Sequence, residues 1–424
     1  MSIAAAASAE HSARDRRIIL ALFAAGLTTF ASMYSAQALL PSLSAAFGAA
    51  PAHAALAVSL TTGVLALAIV PVSVLSNRFG RTRVMRASAV ASCSIGLLLP
   101  FAPTLDVLLA GRALQGLALA GVPAVAMAYL AEEIGSAGLG AAMGVYVSGT
   151  SVGGLAGRLI PAVTLEAASW RWAAAVLAVA AAGCTVWFVR VLPPSRRFTP
   201  VTADIRTLAA DLAGHLRHRT LLPLFATAFV LAGGFTALYN FLGFRLTRPP
   251  FELSEAVAGS VFAMYLAGTV TATFAGRWAD RHGRHRVLAA AVMAMAAGVA
   301  LTLPDRLPLL LLGVLLCTAG FFGAHAVASG WVGAAAVGNR AAASSLYVFA
   351  YYLGNSVIGG AAGLAYGHLG WAGLSAYVAV LVGAAALLAV PLCRAARAAR
   401  HALAAHAADS DAFSTPAPGA SEPV

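Results

Sequence analysis

Twelve strongly apolar runs, each 17 to 26 residues long, follow one another along the chain with mostly short, arginine-bearing breaks between them. About 20 apolar residues are enough for a helix to cross the hydrocarbon core of a bilayer. The runs are Ile18–Leu40, Ala54–Leu75, Val84–Phe101, Val107–Leu130, Leu139–Val163, Trp172–Val191, Leu221–Gly243, Val257–Trp278, Val287–Leu303, Leu307–Val332, Ser344–Tyr366 and Trp371–Leu392. In lipid only helices and closed barrels satisfy their own backbone polar groups. No ten-residue alternation of the barrel type is present, so the expected fold class is an all-α integral membrane protein with twelve transmembrane helices. Composition agrees: 10% of residues are charged and 60% hydrophobic, against about 25% charged in an ordinary soluble domain.

The charge is arranged for topology. The net charge of +12 comes from 27 basic residues, all arginine. With the first residues placed inside, 21 arginines fall on the inner side, four in outer loops, and two, Arg112 and Arg158, within spans. Such a bias orients a membrane protein with both termini in the cytoplasm, and it removes nucleic acid as the reason for the basic pI. Arg16-Arg17 and the first apolar run could pass for a signal peptide, but that run is longer than a usual signal core and is read as a retained span. The four cysteines lie inside apolar runs without metal-ligand spacing and are read as small core residues. No cofactor or metal is expected.

The longest break divides the chain six and six. The expected organisation is a cytoplasmic N-terminus (1–17), a first six-helix bundle (18–191), a cytoplasmic linker (192–220), a second bundle (221–393) and a disordered cytoplasmic tail (394–424). In the linker, Pro193-Pro194 ends span 6. Beyond it Ile205, Leu208, Leu212 and Leu216 recur at helical spacing, which predicts an amphipathic helix on the inner membrane face. It is either a hinge between the halves or a passive tether.

The two halves repeat. Gly276-Arg277-Trp278-Ala279-Asp280-Arg281-His282-Gly283-Arg284 between spans 8 and 9 has a worn copy 203 positions upstream, Ser73-Val74-Leu75-Ser76-Asn77-Arg78-Phe79-Gly80-Arg81. Tyr34 in span 1 and Tyr239 in span 7 are 205 apart. Gly149-Thr150-Ser151-Val152-Gly153-Gly154 in span 5 matches Gly354 to Gly360 in span 11. Parallel repeats of this kind place a binding cavity between the halves near mid-membrane.

On these motifs the chain resembles the major facilitator superfamily over residues 18–392. The loop between spans 8 and 9 fits the superfamily pattern G-x-x-x-D-R-x-G-R at Gly276, Asp280, Arg281, Gly283 and Arg284. Gly111-Arg112-Ala113-Leu114-Gln115-Gly116 resembles its R-x-x-Q-G motif. Span 5 resembles its antiporter motif at Gly149, Gly153 and Gly157, with Gly154 and Arg158 where that motif has proline and the last glycine. Leu238 to Leu246 and Gly323 to Trp331 are similar to a narrower bacterial group of arabinose-efflux-permease-like, inner-membrane transport proteins. The resemblance implies two six-helix halves that rock about a central site, and loops that latch the inner side shut.

The residues that could carry such a mechanism are few. For the latch they are Gly276, Asp280, Arg281, Gly283 and Arg284, with Asn77, Arg78, Gly80 and Arg81 as the upstream set; since Asn77 brings no charge, a stronger latch is expected in the C-terminal half. Topology marking alone would also account for the arginines. Arg112 sits two turns inside span 4, either facing a cavity or snorkelling to the surface; the resemblance implies a part in proton coupling. Arg158 has the same two readings. If both face the cavity, its outer part is positive and favours anionic or neutral solutes. No Asp or Glu lies deep in a span, so His325 is the alternative proton carrier, or a neutral hydrogen bonder between helices. Tyr34, Gln37, Gln115, Tyr239, Asn240, Tyr351 and Asn355 are candidates to line the cavity or to tie helices together. Glu132 and Glu133 could pair with Arg81, Arg83 or Arg86. The glycines of spans 5 and 11 are read as permitting close helix approach.

The function expected from these features is secondary active transport of a small molecule across a bacterial inner membrane, proton-coupled and directed outward, by a monomer. Uptake by symport and a non-transporting sensor on the same fold are the alternatives. A nucleotide-binding G-x-x-x-x-G-K-[ST] loop is absent from the sequence, and an enzyme is not expected: there is no H-E-x-x-H motif.

Overall fold

A computed structural model describes residues 3–134, 136–198 and 205–414, and among these it is helical with turns and no strands. Eleven helices are long and apolar enough to cross a bilayer. The last, Arg340–Arg394, contains two of the expected spans, separated at Gly370, where φ is 58° and ψ −143°. That left-handed backbone suits glycine. Twelve passes result, and the expected span order holds throughout. The linker helix, Ile205–Leu216, falls where the apolar spacing placed it. It docks on the loop between spans 10 and 11: Asn339 Nδ2 donates to Asp211 Oδ2 at 2.8 Å, and His215 Nε2 lies 2.9 Å from the Asn339 carbonyl.

Several spans are interrupted where the sequence suggested a continuous run. Span 1 ends its helix at Tyr34, a series of turns follows, and a short helix Leu40–Phe47 leads out with Pro41 in its first turn. Span 4 is two helices, Leu105–Leu119 and Gly121–Glu133. Pro123 has no N–H to give the Leu119 carbonyl. At the same break the Ser88 hydroxyl donates to the Ala118 carbonyl and accepts from the Gly121 N–H. Span 8 begins as Glu255–Ser260, passes through a 3-10 turn at Val261–Met264, and continues as Tyr265–His282. The tail expectation needs correction in its first part. The final helix runs on to Ser414, because residues 395–408 are mostly alanine, the best helix former; residues 415–424 lie outside the described residues.

The repeat is visible in the backbone. Gly80 and Gly283, which end spans 2 and 8, adopt nearly the same conformation, φ 95° with ψ 145° and φ 90° with ψ 134°. In each half the first and fifth helices pack intimately, and small residues make this possible. Gly149, Gly153 and Gly157 lie against the backbone of Phe23, Leu27 and Ala31 of span 1, and Gly354 of span 11 lies against Phe229 of span 7. The glycines therefore act in packing, as lipid-embedded interfaces require. All four cysteines are free thiols. Only Cys317 is fully buried; Cys93, Cys184 and Cys393 are half-buried, since each of their helices turns one side outward.

Span 5 supplies its own control. Gly153→Ala would press a Cβ into the Leu27 backbone, whereas Gly144 has open space around it. Gly153→Ala is expected to cost about 1–3 kcal/mol, as overpacking does, and Gly144→Ala close to nothing. Thermal unfolding of the two purified variants in detergent checks this.

Candidate functional site

Arg112 is 1% exposed and does not snorkel. Its side chain turns inward, to the end of the span 1 helix. Nη1 donates to the Ser32 carbonyl at 2.9 Å, to the Ser35 hydroxyl at 3.0 Å and to Gln115 Oε1 at 2.6 Å. Nη2 donates to the Met33 carbonyl at 2.7 Å and Nε to the Ala57 carbonyl at 2.9 Å. A helix C-terminus has unpaired carbonyls and a partial negative charge. Arg112 satisfies both, which is why span 1 can stop at Tyr34 inside the bundle. Gln115 is not a cavity residue. Its Oε1 holds Arg112 and its Nε2 donates to the Ser92 carbonyl at 3.2 Å. Both residues belong to the interior of the N-terminal half, so the expectation that two arginines share one cavity is not met.

Arg158 occupies a different place, the seam between the halves. It lies two turns from the end of span 5 farther from the chain termini and is 2% exposed. Nε donates to Gln37 Oε1 at 2.6 Å, Nη1 to the Gly154 carbonyl at 2.5 Å, and Nη2 to the Tyr265 hydroxyl of span 8 at 3.2 Å. The Tyr34 ring lies 4.0 Å and the Tyr265 ring 4.3 Å from the guanidinium carbon, with Phe262 at 5.6 Å. Gln37 continues the chain, its Nε2 donating to Asn240 Oδ1 of span 7 at 2.7 Å. Side chains from both halves thus converge on one cation. Among the described residues no carboxylate forms an ion pair with it.

The remaining cavity candidates divide. Tyr34, Gln37, Tyr239, Asn240 and Tyr351 are gathered around the seam. Tyr239 hydrogen-bonds Thr318 at 2.7 Å and its ring packs 4.8 Å from that of Tyr265. Asn355 is instead a helix tie, accepting from the Thr236 hydroxyl at 2.8 Å. His325 lies in the C-terminal half, Nδ1 3.0 Å from the Tyr347 hydroxyl and its ring 5.0 Å from that of Tyr351. Sequence reasoning missed Tyr265 and Phe262, which have no counterpart signal in the chain. It also missed Glu255, which opens span 8, accepts from Ser42 of the other half at 3.2 Å, and lines a small cleft with Gln37 and Phe262. Its position just before the apolar run hid it. Further contacts join the halves at this same end, including Ala162 with Gly259 and the Ala256 N–H with Glu166 Oε2 at 3.2 Å.

At the end that carries the termini the two loops differ. Arg81 donates to Glu132 Oε1 from Nε and Nη2 at 3.0 and 2.8 Å, and from Nη1 to Ser76 and Asn77 at 2.6 Å each. Arg78 lies over the Phe79 ring. Asp280, Arg281 and Gly276 show nothing comparable: Asp280 is exposed and makes no hydrogen bond or ion pair to a described residue. The engaged loop in this conformation is the N-terminal one, the reverse of the expected asymmetry. Span 4 ends in an acid that reaches Arg81, whereas the repeat-related end of span 10 is Ala335-Ala336-Val337. Glu133 turns away from that loop. It accepts from Arg14 at 2.7 Å and from the N–H groups of Arg196 and Arg197 at 2.7 and 3.0 Å, clamping the N-terminal segment to the linker.

A twelve-pass bundle of two repeated halves, with polar groups meeting at the seam, defines a multi-pass membrane transporter. The model of the Major Facilitator Superfamily matches residues 22–248 and again 246–416, and the chain belongs to that family. It is 40% identical over 359 residues to the uncharacterized MFS-type transporter YybF of Bacillus subtilis (strain 168), covering 85% of this chain and 89% of that one. It is also 40% identical over 378 residues to the inner membrane transport protein YnfM of Escherichia coli (strain K12), covering 89% and 91%. Its fold matches that of a point mutant of the nucleoside transporter NupG with a TM-score of 0.74 at 14% identity, covering 89% of this chain and 99% of that one.

The two buried arginines are separable by experiment. Arg112→Ala leaves the Met33 carbonyl without a donor, at about 1–3 kcal/mol for a buried group left unpaired, and removes the guanidinium from the Ser32 and Ala57 carbonyls, which keep the Ser35 and Thr61 hydroxyls. A large fall in the yield and thermal stability of folded protein is expected. Arg158→Gln, which can still hydrogen-bond its neighbours, is expected to remain close to wild type in the same measurement.

Proposed function

We propose that the protein is a secondary active transporter that moves a small neutral or anionic solute across a bacterial inner membrane by alternating access. Both termini lie in the cytoplasm, consistent with the 21-to-4 distribution of arginines. The protein functions as a monomer, with the passage between its own two halves, and needs no cofactor. The observation that carries the reading is the Arg158 seam. Arg158 bonds Gln37 on one side and Tyr265 on the other, so it holds the outer mouth closed with polar contacts that can be broken and remade. At the cytoplasmic end the Arg81 bonds to Glu132, Ser76 and Asn77 stay within the N-terminal half, and the loop around Asp280 has no comparable contact. A conformation closed outside, with neither loop tying the halves together inside, is one of the two states that alternating access needs.

Proton coupling in the efflux direction completes the proposal. His325 is the proton carrier, since it is a titratable group beside the passage and Tyr351 links it to the seam. Outward transport is favoured because the chain matches the antiporter pattern at Gly149, Gly153 and Gly157. Arg112 supports the fold of the N-terminal half and takes no proton.

Two measurements test this. Cysteines at Ser42 and Glu255, in a chain whose four native cysteines are replaced by alanine, are bridged by a short bis-methanethiosulfonate reagent. Solute-dependent proton flux in proteoliposomes, followed with a trapped pH dye over a panel of sugars, organic anions and cationic dyes, should stop on bridging and return on reduction. Flux that continues unchanged through bridged protein defeats alternating access. Separately, His325→Gln should abolish gradient-driven accumulation while leaving solute-for-solute exchange intact; unchanged accumulation removes His325 from the proton path.

A further inference from the structure

Resting on the transport reading above, we infer that the Arg158 cluster is a substrate subsite for a planar aromatic carboxylate, with the carboxylate supplying the negative charge that the protein withholds. A buried guanidinium is ordinarily paired with an acid, because desolvating an unpaired charge is costly. Arg158 has neutral partners in Gln37, the Gly154 carbonyl and Tyr265. A guanidinium carries five N–H donors, and these three bonds leave one on Nη1 and one on Nη2. Both terminal nitrogens therefore keep a donor that a carboxylate oxygen can accept from.

A second unsatisfied donor lies in the same hydrogen-bonded chain. Arg158 can only donate, so Gln37 must present Oε1 to it and Nε2 to Asn240. Asn240 must then accept with Oδ1, which leaves its Nδ2 pointing elsewhere. That nitrogen is buried and has no hydrogen-bond partner, and Asn240 is 1% exposed. The orientation of both amides thus follows from the arginine. An orphaned buried donor is costly and is explained when an acceptor arrives with the substrate.

The body of the ligand follows from the walls. Tyr34 and Tyr265 cover the guanidinium. From Tyr265 the aromatic surface continues to Phe235 at 5.4 Å, which stacks on Phe321 at 4.1 Å and 8°. Phe321 leads to His325 at 6.0 Å and Tyr351 at 6.2 Å. Tyr265, Tyr351 and His325 are half-buried, and with these rings they form one aromatic wall beside Arg158. A flat ring stacked there places its carboxylate at the Nη1–Nη2 edge. Aromatic pairs favour such offset contacts.

The test uses the full-length protein in detergent, with binding read by ligand-dependent thermal stabilisation and by equilibrium dialysis of labelled benzoate. Benzoate and 2-naphthoate should bind, cyclohexanecarboxylate more weakly, and benzyl alcohol and benzylamine not measurably. Arg158→Gln should weaken benzoate binding by about 10- to 100-fold, as expected when a charge-assisted hydrogen-bond pair is lost. Asn240→Asp, which puts a like charge beside the carboxylate, should weaken it by at least about tenfold. Equal binding of benzyl alcohol and benzoate overturns the proposal, and so does wild-type affinity in both variants; the ligand series needs no variant to fold. Benzoate binding without any proton-linked flux would leave the subsite standing and sink the transport reading. Flux of other solutes with no carboxylate binding would do the reverse.

Discussion

Lipid offers a peptide group no hydrogen-bond partner, and the interior of this bundle is organised around that fact. At several helix ends and breaks within the bundle, a side chain takes up what the backbone leaves open. Arg112 collects the carbonyls at the end of span 1. The Ser88 hydroxyl bridges the discontinuity that Pro123 imposes on span 4. Trp371 donates to the Thr302 carbonyl at the end of span 9, at 2.9 Å. Unpaired groups in hydrocarbon cost several kcal/mol each, so these bonds are conditions for the fold rather than additions to it. Arg112 shows how a residue that resembles part of a transport motif can have a structural task that its neighbours fully define.

Packing follows the same logic from the apolar side. Lipid tails are as apolar as leucine, so burying leucine against leucine gains little, and helices associate through close van der Waals contact. The glycine row of span 5 and Gly354 of span 11 allow that contact within each half, backbone against backbone. Between the halves the chemistry changes. The seam near Arg158 combines small residues such as Ala162 and Gly259 with a few hydrogen bonds. The proposed rocking would act on these polar contacts and leave the glycine-packed interfaces within each half intact.

The fold is almost fully legible along the chain, because span length, proline and arginine placement act locally. Residues 394–414 are an exception: their low content of large apolar residues suggests disorder, yet the helix propensity of alanine prevails there. The loops between spans 2 and 3 and between spans 8 and 9 are recognisable as copies, and Gly80 and Gly283 share a backbone conformation for that reason. Which copy is engaged is not legible in the loops. Comparing Asn77 with Asp280 weighs only residues within them, while Arg81 is held by Glu132, which is 51 positions away.

By itself the sequence determined that this chain spans a membrane twelve times as two related halves, and it marked the few polar residues that such a chain tolerates. Only the tertiary structure decided that Arg112 is sealed within one half while Arg158 stands at the seam between both. The physical reason is that these helices are apolar on every side, so their sequences carry little amphipathic signal to tell a lipid-facing side from one facing a neighbouring helix or the passage. Two arginines at the same depth are therefore equivalent in one dimension. The contacts between helices, formed only when the bundle assembles, give one of them a structural cap to make and the other a charge without a counter-ion.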